Sequence, residues 1–66
     1  MATITMAQIA VIAAEAHAGL AEMYRENIAK YPGVANTYKR YTMREKMVEH
    51  QNRAAEIMAT VPQEAR

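Results

Sequence analysis

Apolar residues recur at helical spacing in two stretches, and a short aromatic and basic stretch separates them. In the first, Ile9, Ala13, Ala16, Leu20 and Met23 follow 4-3-4-3 spacing, the mark of a coiled-coil-like seam. Ala10, Ala14 and Ala18 make a second line of small residues, and small residues let two backbones approach closely. Val11 and Ile12 widen the apolar surface further, so the N-terminal half of this helix is apolar almost all round and is expected to be buried on more than one side. One line can face the second helix and the other a second copy of the chain. The C-terminal half is ordinary: Glu22, Arg25, Glu26 and Lys30 form a wet face, and Glu26 and Lys30 stand at a favourable i,i+4 spacing.

The limits of this helix are marked. Thr5 followed by Gln8 has the form of a capping box, with Ile4 and Ile9 at the hydrophobic-staple positions. Pro32 stops the helix near Lys30, because the residue before a proline is pushed out of the α region. Gly33 can supply the positive φ of a tight reversal. Helix 1 is therefore predicted over 6–30, after a frayed lead-in at 1–4, with a turn over 31–36.

Helix 2 is predicted over 37–60, with Asn36 as its N-cap and Pro62 beyond its end. A second capping box, Thr42-Met-Arg-Glu45, would start it later and leave Tyr38 and Tyr41 in a loop. Met43, Met47, His50, Ala54, Ile57 and Val61 follow 4-3-4-3-4 spacing, widened by Val48, Ala55 and Met58. Glu45, Glu49, Asn52 and Glu56 lie opposite and should be wet. Residues 61–66 form a tail. Two helices joined by a short turn pack antiparallel.

Composition adds a constraint. Sixty-six residues make one domain at most, and 52% are hydrophobic, but Ala and Met supply much of that share and there is no Phe, Trp or Cys. A chain this short rarely buries enough apolar surface alone, and without disulfides or thiolate metal sites it needs another support. Self-association is the expected one. The fold class is all-α: an antiparallel two-helix hairpin that dimerises into a four-helix bundle. The dimer interface is placed on Ile9, Ala10, Ala13, Ala14, Ala18 and Leu20.

Charge changes the picture only locally. Residues 1–24 hold two glutamates and no cation, whereas residues 25–53 hold seven cations against three glutamates. That excess is too small for a nucleic-acid arm. No basic n-region precedes an apolar segment, and Ile9–Ala14, the longest apolar run, is far below the roughly 18 residues of a membrane span. A cytoplasmic protein without membrane contact is expected.

Two constellations could carry chemistry. Folding the hairpin about residues 33–34 brings His17 level with His50 on the inner stripes. A metal is one use of such a pair. The helical carboxylate–histidine sites use Glu-x-x-His, however, and this chain has Glu15-Ala-His17 and Glu49-His50 instead, so a structural polar layer is expected, with no metal and no cofactor. The second constellation is Tyr31, Tyr38, Lys39, Arg40, Tyr41 and Arg44, with Lys30 beside them. Tyr and Arg are enriched at binding hot spots. The competing view is that Tyr31 and Tyr38 close the hairpin end while the cations stay solvated. Catalysis finds no footing: the chain has no Cys, Ser or Asp, and its two glycines make no phosphate loop. It is not expected to be an enzyme.

In size and layout, an Ala/Met-rich hairpin with an exposed Tyr/Arg end resembles the small bacteriophage-encoded helical-hairpin dimers that inhibit host proteins, among them anti-activators and anti-defence proteins. The resemblance covers the whole chain, rests on no sequence motif and transfers no residue roles. It implies a phage protein that binds and blocks a host regulatory protein. The alternatives are a binder of phosphate-bearing ligands, as a cyclic-nucleotide sponge or nucleic-acid binder, and a purely structural oligomerisation module.

Overall fold

The computed structural model describes residues 3–63. The expected lead-in and tail therefore fall partly outside the described residues. Helix α1 spans Met6–Lys30, a 3₁₀ turn spans Val34–Asn36, and helix α2 spans Thr37–Ala59. The two helices pack against each other as a hairpin.

Local chemistry explains each end. Thr5 caps α1 through a complete capping box: its hydroxyl accepts from the Gln8 N–H at 3.1 Å, and its own N–H donates to Gln8 Oε1 at 2.8 Å. The helix stops at Tyr31, just before Pro32. Gly33 then adopts φ 95°, a conformation that side-chain-bearing residues rarely take, and this lets the chain reverse. Helix α2 starts at the expected place by a different device. The Asn36 side chain makes no cap to α2 and instead donates from Nδ2 to the Pro32 carbonyl at 2.8 Å. Thr37 Oγ1 donates to the Val34 carbonyl at 2.8 Å. The later capping box is not used, since Thr42 lies inside the helix and its hydroxyl donates back to the Tyr38 carbonyl at 3.1 Å.

The contact between the helices is thin. Among the described residues the buried apolar side chains are Ala14, Ala21 and Val61, at 2, 3 and 4% exposure. On α1 the side turned towards α2 runs through Ala10, Ala14, His17, Ala21, Tyr24 and Ile28, all buried or half-buried. On α2 it runs through Met43, Met47, His50, Ala54, Ile57 and Val61, the stripe read from spacing. The line Ile9–Leu20–Met23 on α1 is exposed. The alanines allow the helices to approach closely, and the methionines fill the irregular space around them.

The described ion pairs are exposed and lie within single helices: Arg25–Glu22 at 3.3 Å, Lys46–Glu49 at 3.6 Å and Arg53–Glu56 at 3.4 Å. The expected Glu26–Lys30 pair is not among them. Pairs of this kind contribute little to stability.

A close helix contact built on alanine does not tolerate added volume. Ala21→Leu should cost about 1–3 kcal/mol through overpacking. The same change at exposed Ala29 should be nearly neutral. Thermal melting followed by circular dichroism compares the two.

Candidate functional site: the aromatic hairpin end and the histidine bridge

The hairpin end is held by Arg40. Its Nη1 donates to the Tyr31 carbonyl at 2.7 Å and to the Gly33 carbonyl at 2.6 Å, tying the start of α2 to the end of α1. Lys39 places its Nζ 4.2 Å from the centre of the Tyr31 ring, a cation–π contact. Tyr31, Lys39 and Arg40 are thus engaged with one another's segments. Sequence alone offered no sign of the Arg40 clamp, because its partners are backbone carbonyls that converge only in the folded turn.

Beyond this knot the apolar side chains are left uncovered. Val34 is 91% exposed and Tyr38 81%. Tyr41 and Val48 continue the exposed strip down α2, with Arg44 and Glu45 beside them around a shallow hollow. Tyr38, Tyr41 and Val48 fall on one side of α2, and Val34 stands exposed in the 3₁₀ turn before it. Val48, expected to widen the inner stripe of α2, lies on this exposed surface instead, beside Tyr41. The Tyr41 phenol titrates above its ordinary value, first because it hydrogen-bonds to Glu45 and second because the Glu45 charge opposes a phenolate.

The histidine bridge sits midway along the hairpin. His17 Nδ1 and His50 Nδ1 lie 2.9 Å apart, and the rings stack with centroids 5.2 Å apart. At that distance one ring donates from Nδ1 while the other accepts there, which between two neutral rings makes them opposite tautomers. Tyr24, one turn pair beyond His17, stacks on His50 at 5.9 Å between centroids. Its place, seven residues from His17 on the same stripe, is the signal that would have included it. His17, Glu49, His50, Arg53 and Glu56 border an open concavity of about 500 Å³. Among the described residues no group of three or more His, Asp, Glu or Cys side chains is placed to hold a metal ion.

The alanine positions expected at a dimer interface separate in space. Ala14 is covered by α2 at the inner edge of an apolar groove, and Ala10 is half-buried on the same side. Ala18 borders an apolar groove with Val11, Ala54, Ala55 and Met58 on one face of the hairpin. Ile9 and Leu20 are exposed, and Ala13 lies half-buried between them along the helix. Among the described residues no helix is long and apolar enough to cross a membrane.

The fold and these sites define a helical hairpin with a clamped aromatic end and a polar bridge at its waist. No family model matches the chain, and no curated protein or solved structure matches it either.

Two measurements test these assignments. Glu45→Ala removes both the hydrogen bond and the charge through which Glu45 raises the Tyr41 phenol, so its absorbance titration should move down towards the ordinary value of about 10. In mildly alkaline solution, nitrogen NMR should find His17 and His50 in opposite tautomers. Identical tautomers would break the bridge as described.

Proposed function

We propose that this protein is a non-enzymatic interaction module that self-associates as a homodimer and captures a partner protein through its hairpin end. The observation that carries the second half is the strip Val34, Tyr38 and Tyr41, held out to solvent on a turn fixed by Arg40. Large apolar side chains on a fixed backbone bind at a low ordering cost. Tyr38, Tyr41 and Arg44 are the contact residues in this proposal. Tyr31, Lys39 and Arg40 support them by holding the turn.

Self-association is supported by what the single hairpin leaves uncovered. The chain exposes 5201 Å², whereas a compact monomer of this mass exposes roughly 4200 Å². Its radius of gyration is 15.4 Å against about 11 Å for a compact domain of this length. The excess area is similar to the ~800 Å² that each partner contributes to an ordinary interface. Because Ala14 is already covered, the dimer surface is drawn through Ile9, Ala13, Ala16, Leu20 and Met23. Blocking a host regulatory protein is the role that suits such a module.

Binding of phosphate-bearing ligands has less support, since Arg40 and Lys39 already have partners within the turn. Salt separates the two: phosphate binding weakens steeply with salt, and a tyrosine-anchored protein interface does not.

Tyr38→Ala should leave helicity and assembly unchanged and weaken partner capture at least about tenfold, since hot-spot truncation costs about 2 kcal/mol or more. Arg40→Ala should weaken capture as well, but together with a lower melting temperature, because the turn loosens. Affinity for a partner isolated from host lysate and melting temperature, measured on the same variants, decide this. Parent-like capture by Tyr38→Ala would move the binding surface elsewhere. Light scattering of the parent at micromolar concentration should report a dimer mass.

A further inference from the structure

We infer that the second copy docks antiparallel on one face of the hairpin, with α1 on α1 and α2 on α2, about a twofold axis that crosses that face at the level of Ala16 and Gln51. This rests on the self-association proposed above and names its geometry.

The hairpin has two unlike faces. His17 borders the same concavity as Glu49, Arg53 and Glu56, so these α2 side chains lie on the face to which His17 points. Leu20, Met23, Tyr24 and Asn27 border the adjoining hollow, and Tyr24 stacks on His50. The apolar groove of Val11, Ala18, Ala54 and Met58 lies between the helices away from those groups. On the histidine face, α1 offers the apolar row Ile9, Ala13, Ala16, Leu20 and Met23, while α2 offers the charged row Lys46, Glu49, Arg53 and Glu56.

The charged row complements itself when reversed. It reads plus, minus, plus, minus, and its members are symmetric about Gln51: Lys46 and Glu56 are equidistant from it, as are Glu49 and Arg53. Laid antiparallel on its own copy about Gln51, Lys46 meets the partner's Glu56 and Glu49 meets the partner's Arg53. Every facing pair is of opposite sign.

The same axis suits α1. The His17–His50 contact fixes the register of the hairpin, so Ala16 stands level with Gln51. Antiparallel pairing about Ala16 sets Ala16 against its own copy, Ile9 against the partner's Met23, and Ala13 beside the partner's Leu20. Small residues lie at the centre, where backbones approach most closely, and large ones face small ones beside it. Both helices therefore select one axis independently. An axis running along the helices would instead lay the apolar row of α1 on the charged row of α2, and neither row would find its match.

The apolar row drives the association, because exposed ion pairs contribute little by themselves. The charged row sets orientation and excludes wrong pairings, since like charges brought together across an interface are strongly unfavourable.

The test is a mixing experiment. The variant Lys46→Glu, Glu49→Lys, Arg53→Glu, Glu56→Arg inverts the row, keeps its pairs within the helix and remains complementary to itself. Parent and variant are unfolded together, refolded and weighed by native mass spectrometry. Each should form homodimers, with heterodimers at least about tenfold below the statistical mixture. A statistical mixture overturns the proposed geometry and leaves the dimer standing. A parent that stays monomeric overturns the self-association itself. A second measurement serves if the variant fails to refold. Oxidised Ala16→Cys should give disulfide-linked dimers, whereas Ile9→Cys should not, because antiparallel pairing holds the two copies of position 9 about 21 Å apart. Cross-linking at both positions, or at neither, overturns the arrangement.

Discussion

The close approach of α1 to α2 at Ala14 and Ala21 governs the rest of this molecule. Alanine lets two helices come together without strain, and it brings almost nothing to bury. The seam is therefore well formed and energetically poor, with two alanines and Val61 as its buried apolar side chains among the described residues. The larger apolar residues of α1 are displaced onto other sides of the helix. A chain built this way leaves much of its larger apolar surface outside the hairpin seam, on Ile9, Ile12, Leu20 and Met23.

The His17–His50 bridge belongs to the same constraint. In an alanine seam the apolar contacts slide easily, because one small side chain resembles the next. A polar pair with a directional bond resists that sliding, since moving one residue along would leave two imidazole nitrogens half-buried without partners. Polar groups inside helical assemblies are best known for setting register in this manner. Tyr24 covers the bridge on one side by stacking on His50. The pair thus substitutes specificity for the packing energy that alanine does not supply.

Much of this was legible in the chain, and the failures have physical reasons. Thr5 with Gln8, Pro32 and Gly33 are local signals, each acting within a few residues, and the structure uses all of them. The α2 stripe was legible because Met43, Met47, His50, Ala54, Ile57 and Val61 keep the seam spacing along the whole helix. On α1 two lines compete, and their spacing alone does not say which of them faces α2. The structure turns Ala10, Ala14 and Ala21 inward together with His17, and leaves Ala18 exposed. His17 held the clue: it lies three residues after Ala14 and four before Ala21, so facing His50 requires those alanines to face α2. The Arg40 clamp was not legible, because nothing local distinguishes an arginine that reaches two turn carbonyls from one that points to water.

The clamp also changes what the exposed tyrosines mean. A tyrosine on a mobile loop must be ordered before it binds, and that ordering offsets part of its contact energy. Here Gly33 sets the reversal, and Arg40 ties Tyr31 and Gly33 to the first turns of α2. Asn36 and Thr37 hold the intervening carbonyls of Pro32 and Val34. Tyr38 therefore leaves a backbone that is fixed on both sides while its ring stays in solvent. Nothing in the packing of the hairpin requires so large a ring at that place, because the inner stripe of α2 begins at Met43. The ring of Tyr38 is thus held on a rigid support, in solvent, at a place where the fold itself makes no use of it.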